Sequence, residues 1–309
     1  MGGSAGAIGK TLDRVMPPQA DPGRPHMLIG LIGRGIQSSR SPKMHELEGA
    51  RLGLAYRYVL VDFDQLDLPD RALGAILESA RAKGFAGLNV THPFKQSVIG
   101  HLDGMTSEAE AIGSVNTIVF GRPGAIGHNT DSWGFAQSFR EEMADAPLRR
   151  VVQFGAGGAG AAVAYALMDL GVGELWLFDT DSARADALCV AVGRRFPGRM
   201  RVEADPAGAL RHADGLVNAT PVGMIKYPGM PFPESLLSHR HWVAEIIYFP
   251  VETELLRRAR ALGCRILPGT GMAIYQAARA FELFTGKTPD RHAMAAHFAA
   301  AEQERIDCI

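Results

Sequence analysis

The chain has 309 residues, which is long enough for two domains with separate cores. Its hydrophobic content of 47% and charged content of 21% are ordinary for a globular protein. The formal net charge of −1 gives no electrostatic case for binding nucleic acid or an anionic membrane. The sequence also contains no apolar run that approaches the roughly 20 residues of a membrane-spanning helix.

Residues 1–26 are rich in Gly, Ala and Pro and contain no apolar segment of the kind that a secretory signal requires. We expect a flexible extension here and assign it no function. Cys189, Cys264 and Cys308 are odd in number and lack the spacing of a metal site. They are expected to be reduced thiols of a cytoplasmic protein that holds no metal.

The first convincing strand is Met27–Ile32, and a helix is predicted from Pro42 to about Leu52. Serine before a proline at the first helical position is a common N-cap arrangement, which makes Ser41 a candidate cap. The two hydroxyls of Ser39 and Ser41 would also suit a carboxylate beside the helix N-terminus. The residues alone favour neither helix capping nor carboxylate binding as the role of Ser41.

Strands and helices continue to alternate after this helix. Ala55–Val61 and Gly87–Val90 are predicted strands, and Arg71–Lys83 between them is a predicted helix. Lys95 follows shortly after the second of these strands. A partly desolvated lysine can carry a proton near neutral pH, which an arginine cannot do. The alternative is a solvated surface lysine, and the residues alone favour it.

Polar residues mark the next two positions of interest. Asn116 lies at the start of a strand that runs to Phe120, and Asp131 precedes a helix predicted from Ser132 to about Met143. Such side chains are what a polyhydroxylated ligand would need. They are also ordinary turn and N-cap residues, so both interpretations stay open.

The chain is organised around a strand, a glycine turn, a helix and a second strand. The strand is Val151–Phe154, the turn is Gly155–Gly160, and Ala161–Leu170 is a strong helix former. Glu174–Phe178 is the second strand, and Asp179 follows it directly. An acid about twenty residues past a glycine turn is typical of a dinucleotide-binding unit.

The residues of the turn have separate roles in this pattern. Gly155 allows the tight turn, Gly157 lets the backbone approach a pyrophosphate, and Gly160 lets helix and strand pack closely. The helix N-terminus offers free N–H groups to the phosphates, and Asp179 can accept hydrogen bonds from ribose hydroxyls. The pattern therefore favours dinucleotide binding over packing alone.

The remaining segments continue the alternation, so the expected fold class is α/β. They are predicted as a helix, three strands, a helix, a strand and two helices, over Ala183–Phe196, Met200–Glu203, Leu216–Asn218, Trp242–Ile247, Glu252–Leu262, Arg265–Leu267, Gly269–Phe284 and Arg291–Arg305.

Eight motifs together make the chain from Met27 onward resemble the shikimate/quinate dehydrogenase family. They are Ser39–Pro42, Asn89–Lys95, Ser114–Thr117, Asn129–Asp131, Gly155–Gly160, Asn218–Pro221, Tyr248–Pro250 and Gly271–Gln276. Each motif alone is a weak indicator, whereas all eight in the order of the family are specific. The resemblance implies a substrate-binding α/β domain over residues 27–130, completed by C-terminal helices over 268–309. It also implies an inserted Rossmann-like NAD-binding domain over residues 131–267.

The resemblance implies roles for individual residues. Lys95 and Asp131 would be the catalytic pair, with Lys95 acting as proton donor or as electrostatic stabiliser. The substrate would be bound at its carboxylate and its hydroxyls by Ser39, Ser41, Tyr248, Thr91, Asn116, Asp131 and Gln276. The dinucleotide would be bound by Gly155, Ala156, Gly157, Gly158, Ala159, Asp179, Arg184, Thr220 and Gly271.

The implied reaction is reversible hydride transfer between nicotinamide and C3 of shikimate or 3-dehydroshikimate, with quinate and 3-dehydroquinate as a second pair. Many shikimate-linked members resemble Asn-Arg-Thr-x-x-Arg at the adenosine end, where the arginines clamp the 2′-phosphate of NADP. Here Asp179–Arg184 is Asp-Thr-Asp-Ser-Ala-Arg, which resembles the NAD-linked branch. NAD is therefore expected to be preferred over NADP. The NAD-linked branch often has threonine where this chain has Ser41, which leaves quinate use open.

Three alternatives accompany this interpretation. An aminoshikimate- or quinate-preferring paralogue would carry the same motifs. A methyltransferase that uses S-adenosylmethionine also has a glycine turn and an acid, but the large motif-rich segment before the turn argues against it. A non-catalytic sensor of ring acids would keep the pockets, and the presence of Lys95 and Asp131 argues against that. The expected partner is a small cyclic hydroxy acid, with no nucleic acid or membrane, for a monomer or homodimer.

Overall fold

The computed structural model describes residue 12 and residues 26–306, in which strands and helices alternate along the chain. The expected flexible extension over residues 1–26 lies outside this part, apart from residues 12 and 26. The strands are β1 His26–Gly33, β2 Ala55–Asp62, β3 Gly87–Val90, β4 Gly104–Met105, β5 Thr117–Phe120, β6 Ala125–His128, β7 Arg150–Phe154, β8 Glu174–Phe178, β9 Met200–Val202, β10 Gly215–Asn218, β11 Trp242–Glu245 and β12 Arg265–Leu267. The α-helices are α1 Ser41–Arg51, α2 Leu73–Ala82, α3 Ser107–Ile112, α4 Thr130–Glu142, α5 Gly158–Asp169, α6 Ser182–Gly193, α7 Pro206–Leu210, α8 Glu254–Ala261, α9 Gly269–Thr285 and α10 Arg291–Ile306.

The chain divides into two units. Unit 1 contains residues 1–110, 115–130 and 277–309, and unit 2 contains residues 111–114 and 131–276. One limit of unit 2 therefore lies within α9, because this helix continues from Gly269 to Thr285 without a break. The domain limits at residues 130/131 and 267/268 remain a prediction from the sequence.

The sheet of unit 1 mixes parallel and antiparallel strands in the order β2-β1-β3-β5-β6-β4. The parallel strand β1 lies between β2 and β3, with Ile29 opposite Tyr58 on one side and Gly87 on the other. Strands β3, β5 and β6 are antiparallel neighbours. The sequence predicted β1, β2, β3 and β5 but missed β4 and β6, because two and four residues are too few for a clear alternating pattern.

The sheet of unit 2 is parallel throughout, in the order β12-β11-β10-β7-β8-β9. Neighbouring residues of one strand enter different cores: Val151 packs in one apolar cluster and Val152 in another. Leu175 and Trp176 on β8 divide between the two clusters in the same way. A parallel sheet that is covered by helices on both faces has strands that are apolar on both faces. The expected α/β fold with a Rossmann-like unit is therefore confirmed.

Two expectations from composition concern cysteines and membranes. Cys189 and Cys264 carry free thiols, and Cys308 lies outside the described residues. Over residues 26–306, no helix combines the length and apolar character that crossing a bilayer would require.

A buried histidine interrupts the aromatic core of unit 1. His45 on α1 is fully buried, and its Nδ1 lies 2.9 Å from the hydroxyl of Tyr56. The ring centroid of Tyr58 is 4.9 Å away, and those of Phe281 and Phe284 lie 5.8 and 6.4 Å away. Burial lowers the pKa of His45 from 6.5 to about 3, so the imidazole is neutral in the folded protein at neutral pH.

We expect His45 to make folding sensitive to acid. Between pH 6.5 and about 3 the unfolded chain binds a proton at His45 that the folded protein does not bind, so stability falls as the pH is lowered through this range. The loss from this group is about 2 kcal/mol between pH 7 and pH 5, since each pH unit below the unfolded pKa contributes about 1.4 kcal/mol. Urea unfolding of wild type and His45→Gln at both pH values measures it, with the exposed His212→Gln as control. Equal losses in wild type and His45→Gln would contradict the expectation.

Candidate functional site

A buried carboxylate holds the loop that carries the two candidate serines in unit 1. Asp62, the last residue of β2, accepts hydrogen bonds from the backbone N–H groups of Gly35 at 3.0 Å and Ile36 at 3.1 Å. The side-chain amide of Gln37 donates to the same carboxylate at 2.9 Å. Burial acts to raise the pKa of Asp62, but these hydrogen bonds and one from the backbone of Asp64 outweigh burial, and the pKa is lowered. The acceptor is therefore an ionised carboxylate.

Of the two roles that the sequence leaves open for Ser41, the structure does not support capping. Helix α1 begins at Ser41 itself, its N-cap residue is Arg40, and no side chain caps this end of the helix. The backbone N–H of Ser41 instead donates to the Oγ of Ser39 at 3.3 Å. Because Pro42 is the second helical residue rather than the first, Ser41 lies one position too far into the helix to act as its cap.

Lys95 lies in a turn whose backbone is bonded to β1 at one end and to the segment before β5 at the other. The backbone N–H of Thr91 donates to the carbonyl of Ile32 at 2.9 Å, and the carbonyl of Lys95 accepts from Val115 at 2.8 Å. The residues Thr91 and Lys95 are both half-buried. The turn thus fixes the starting point of the Lys95 side chain at the carboxyl end of β3.

Asn116 belongs to a chain of buried hydrogen bonds in unit 1. Its Oδ1 accepts from the backbone N–H of Thr130 at 2.7 Å, and its Nδ2 donates to the Thr130 hydroxyl at 2.9 Å. The hydroxyl of Thr117 lies between Asn116 and Asn89, and Tyr58 donates to Asn89 at 2.8 Å. Much of the hydrogen-bonding capacity of the Asn116 amide is therefore used within the protein.

The glycine turn of unit 2 has the geometry that the sequence predicts. Gly155 has a φ of 99°, and a Cβ at this residue would lie 2.6 Å from the carbonyl oxygen of Ala219. A Cβ at Gly160 would overlap the carbonyl oxygen of Gly155, so helix α5 and strand β7 pack directly on each other. A Cβ at Gly157 would meet no described residue within 4 Å, which leaves the backbone open to a ligand. The turn and the start of α5 therefore fit a dinucleotide pyrophosphate.

Two side chains, those of Gln153 and Asp179, form hydrogen bonds with the backbone of this turn. Gln153 is fully buried, and its Nε2 donates to the carbonyl oxygens of Gly155 and Gly160, at 2.8 Å in each case. Asp179 accepts the backbone N–H of Ala156 at 2.7 Å and that of Asp181 at 2.9 Å. The turn is therefore tied to the ends of both β7 and β8.

Asp179 is largely buried, and the cationic side chain of Arg184 lies next to its carboxylate. Only 6% of its side chain is exposed, and the guanidinium of Arg184 lies 3.5 Å from its Oδ1. Arg184 also pairs with Asp181, which caps α6 by accepting the backbone N–H of Arg184. Asp179 and Arg184 thus lie side by side, and their role at the adenosine end stays a prediction.

A second buried acid lies at the end of β11. Glu245 is 1% exposed, and the Nδ2 of Asn218 donates to its two carboxylate oxygens at 3.1 and 3.0 Å. The backbone N–H groups of Ile246 and Ile247 and the hydroxyl of Thr253 also donate to it, at 3.0, 3.1 and 3.1 Å. Burial raises the pKa of Glu245 to about 7, while these hydrogen bonds act to lower it.

The other predicted residues of unit 2 differ in exposure. Asp131 lies in the first turn of α4 and is 5% exposed, whereas Tyr248 is 40% exposed. Gln276 donates to the carbonyl of Ala273 within its own helix at 3.0 Å. A Cβ at Gly271 would overlap the Ser138 hydroxyl, so this glycine also allows helix packing.

The candidate residues are distributed over both units. Unit 1 carries Ser39, Ser41, Thr91, Lys95 and Asn116, and unit 2 carries Asp131, Tyr248, Gln276 and the residues of the glycine turn. The pairing of Lys95 with Asp131 stays a prediction. In the described part of the chain, no group of three or more His, Cys, Asp or Glu side chains is placed to hold a metal ion.

The sequence did not identify the side chains that support these loops: Asp62, Gln153 and Glu245. Asp62 directly follows the predicted strand Ala55–Val61, and Glu245 lies inside the predicted strand Trp242–Ile247. The sequence does contain a pattern that could identify them, because each is a polar residue at or near the carboxyl end of a largely apolar strand. A buried polar side chain in that position requires a hydrogen-bonding partner.

Comparisons with known proteins agree on one family. Residues 31–118 match the model of the shikimate dehydrogenase substrate binding domain, and residues 269–297 match that of the shikimate 5′-dehydrogenase C-terminal domain. The shikimate dehydrogenase (NADP(+)) of Streptomyces avermitilis is 53% identical over 275 residues, which cover 88% of this chain and 94% of that protein. The quinate/shikimate dehydrogenase (NAD(+)) of Corynebacterium efficiens is 49% identical over 281 residues, or 88% of this chain and 97% of that protein.

A solved structure supports the same comparison. The quinate dehydrogenase from Corynebacterium glutamicum in complex with NAD superposes with a TM-score of 0.82 at 45% identity. The match covers 89% of this chain and 99% of that chain.

The packing of the glycine turn predicts unequal effects of two alanine substitutions. Gly155 and Gly171 share a φ of 99°, but a Cβ at Gly171 would meet no described residue within 4 Å. We expect Gly171→Ala to cost about 1–2 kcal/mol, the usual strain of a left-handed residue. Gly155→Ala should cost at least about 2 kcal/mol more, because its Cβ would also clash with the backbone of Ala219. Free energies of unfolding in urea measure both, and equal costs would show that the turn can relax.

Proposed function

The chain belongs to the shikimate/quinate dehydrogenase family of NAD(P)-dependent oxidoreductases, and from this membership we propose that it is an NAD-linked shikimate dehydrogenase. The proposed reaction is reversible hydride transfer between nicotinamide and C3 of shikimate or 3-dehydroshikimate, with quinate as a candidate second substrate. The observation that carries the cofactor part of the proposal is Asp179, a nearly buried carboxylate bonded to the glycine turn through Ala156. We also propose a cytoplasmic location.

The proposed substrate contacts form two groups, one at the charged ring carboxylate and one at the neutral ring hydroxyls. The ring carboxylate would be bound by the hydroxyls of Ser39, Ser41 and Tyr248. In support, Asp62 holds the serine loop in place and α1 does not use Ser41 as its cap. The ring hydroxyls would be bound by Thr91, Asn116, Asp131 and Gln276. Asn116 would contribute the second hydrogen of its Nδ2, because Thr130 accepts the first.

Lys95 would act on the oxygen at C3. When bound, the nicotinamide would supply or accept the hydride. Reduction of the ketone places negative charge on that oxygen, and an ammonium within hydrogen-bonding reach would stabilise this charge and protonate the oxygen. Asp131 would orient Lys95 and favour its charged form. In the reverse direction, the neutral amine would accept the proton from the hydroxyl.

The dinucleotide would be bound by the glycine turn and three flanking positions. The backbone N–H groups of Gly157, Gly158 and Ala159 would face the pyrophosphate, next to Gly155. Ala156 would contribute through its place in the turn, because its own N–H donates to Asp179. Asp179 would accept hydrogen bonds from the adenosine ribose, with Arg184 beside it. Thr220 and Gly271 would complete the proposed cofactor-binding set.

A substrate panel tests the proposed function. Initial rates with shikimate, quinate and aminoshikimate, each with NAD and NADP, should be highest for shikimate with NAD. Turnover of quinate or aminoshikimate alone would favour the corresponding paralogue. The absence of turnover with every pair, despite NADH binding, would favour a sensor. All of the relatives named above are dehydrogenases, which argues against the methyltransferase alternative.

Replacing Lys95 should affect the chemical step more than substrate binding. We expect Lys95→Met to lower kcat at least about a hundredfold, the usual contribution of positioned acid–base catalysis. KM should change much less, because the interaction strengthens mainly in the transition state. The exposed Lys287→Met, also in unit 1, is the control and should leave kcat unchanged. A near-normal kcat for Lys95→Met would show that Lys95 takes no part in the chemical step.

Cofactor preference should depend on Asp179. A 2′-phosphate near this carboxylate would meet a charge of like sign, and two unit charges about 4 Å apart repel by roughly 4 kcal/mol at an effective dielectric constant of about 20. Screening by solvent and the neighbouring Arg184 reduces this repulsion, so we expect kcat/KM to favour NAD over NADP by about ten- to a thousandfold. The double variant Asp179→Asn/Thr180→Arg should gain activity with NADP.

The controls for this prediction are the single variants. Asp179→Asn keeps an oxygen that can accept from Ala156, so it separates the lost charge from a lost contact with the glycine turn. Equal or better use of NADP by the wild type would contradict NAD preference. A double variant that gains nothing with NADP would show that Asp179 is not the selector.

A further inference from the structure

One buried side chain, Glu245, is bonded to both loops that carry Thr220 and Tyr248. It lies at the carboxyl end of β11 and is 1% exposed. Five donor-to-oxygen contacts of 3.0–3.1 Å reach its carboxylate, from Asn218, Thr253 and the backbone of the two residues after Glu245. None of these five contacts comes from a cationic group. Burying a carboxylate in this way costs desolvation free energy, which hydrogen-bond donors must offset.

The first loop depends on the orientation of the Asn218 side-chain amide. Its Oδ1 accepts from the backbone N–H of Thr220 at 3.1 Å and from the Thr220 hydroxyl at 2.7 Å. Its Nδ2 donates to the carbonyl of Val222 at 2.8 Å as well as to Glu245. The Thr220 hydroxyl in turn accepts the backbone N–H of Val222 at 3.1 Å. The amide of Asn218 thus holds Thr220 and Val222 in one turn.

Glu245 favours the same orientation of this amide as the N–H of Thr220 and the carbonyl of Val222 do. An amide side chain has a donor and an acceptor of almost the same shape, so packing alone selects weakly between its two orientations. In its ionised form the Glu245 carboxylate only accepts hydrogen bonds, so it favours the orientation in which Nδ2 faces Glu245 and Oδ1 faces Thr220. The reversed amide would place Nδ2 against the N–H of Thr220, donor against donor.

The second loop, which carries Tyr248, is hydrogen-bonded to the same carboxylate. Ile246 and Ile247 donate their backbone N–H groups to Oε1, and Tyr248 is the next residue. Thr253 donates to Oε2, and its hydroxyl also accepts the backbone N–H of Leu256 at the start of α8. The segment between β11 and α8 is therefore bound to Glu245 at both of its ends.

We propose that Glu245 is a positioning residue that holds the Thr220 loop and the Tyr248 loop in one fixed arrangement. Glu245 acts on bound molecules only through Asn218 and through the backbone before Tyr248. This inference rests on the proposed function for the roles of Thr220 at the cofactor and Tyr248 at the substrate carboxylate. A purely structural acid would affect stability but leave ligand affinity unchanged.

The test uses Glu245→Gln in the full chain, with NADH as the probe. The new amide places a donor toward Asn218 or the backbone N–H groups, so we expect the Kd for NADH to rise about tenfold. In steady-state rates, KM for shikimate should rise by a similar factor, with a much smaller change in kcat. Affinities within twofold of wild type for both ligands, in a folded variant, would overturn the proposal.

A second variant provides a rescue that a merely structural role does not predict. In Glu245→Gln/Asn218→Asp the donor and acceptor exchange sides: the amide at position 245 donates, and the carboxylate at position 218 accepts from it and from Thr220. Repulsion between the new carboxylate and the carbonyl of Val222 makes the rescue incomplete. We expect the Kd for NADH to recover at least about threefold relative to Glu245→Gln. No recovery in a folded double variant would count against the amide-orienting role.

Glu48→Gln is the matched control. Glu48 is a fully buried glutamate of unit 1 that accepts from Arg51 and from the backbone N–H of Asp290. The Glu48→Gln variant should have a lower melting temperature than wild type and an unchanged Kd for NADH. If its Kd rises as much as that of Glu245→Gln, the effect of Glu245→Gln is one of general stability.

If Glu245→Gln fails to fold, Asn218→Ser, which removes the amide and keeps Glu245, replaces it in the titration. Normal NADH affinity of this variant would overturn the proposal. Failure of wild type to bind NADH would instead overturn the proposed function, so the two failures are distinguishable.

Discussion

Loops at the carboxyl ends of parallel strands expose backbone N–H groups that need acceptors, and buried carboxylates supply them throughout this protein. Asp62 accepts from the loop before α1, Asp179 from the glycine turn, and Glu245 from the segment before Tyr248. Each acid is at or just past the last residue of a strand, where the rigid sheet ends. Several candidate residues lie on or beside these loops, so the positions of these residues within each unit depend on the acids that support the loops.

Asp179 shows how closely support and specificity are linked. The same carboxylate that accepts the N–H of Ala156 is the proposed ligand of the adenosine ribose. The relatives from Streptomyces avermitilis and Corynebacterium efficiens carry different cofactors in their names, although both are about half identical to this chain. Overall identity to these relatives therefore does not decide which cofactor this chain uses. A change at Asp179 would alter both the charge at this position and the support of the glycine turn.

The polar groups of unit 1 follow a different arrangement. Asn116 and Asn89 are neutral amides within a buried chain of hydroxyls, where each donor has a nearby acceptor. Such a chain is stable without a net charge, because every member is both donor and acceptor. A neutral chain of this kind leaves Lys95, in the adjacent turn, as the side chain proposed to bring positive charge to the reacting oxygen.

The sequence by itself determined the elements whose signal is local. The glycine turn, the apolar strands on either side of it and the succession of family motifs are read from neighbouring residues, and their α/β fold and family are confirmed. Only the tertiary structure revealed that Ser41 does not cap α1, that β6 joins the sheet, and that Glu245 connects two loops. The acceptor of Asn218 lies 27 residues further along the chain. Periodicity and spacing describe a residue and its near neighbours, whereas the partner of a buried polar group is decided by which strands lie side by side.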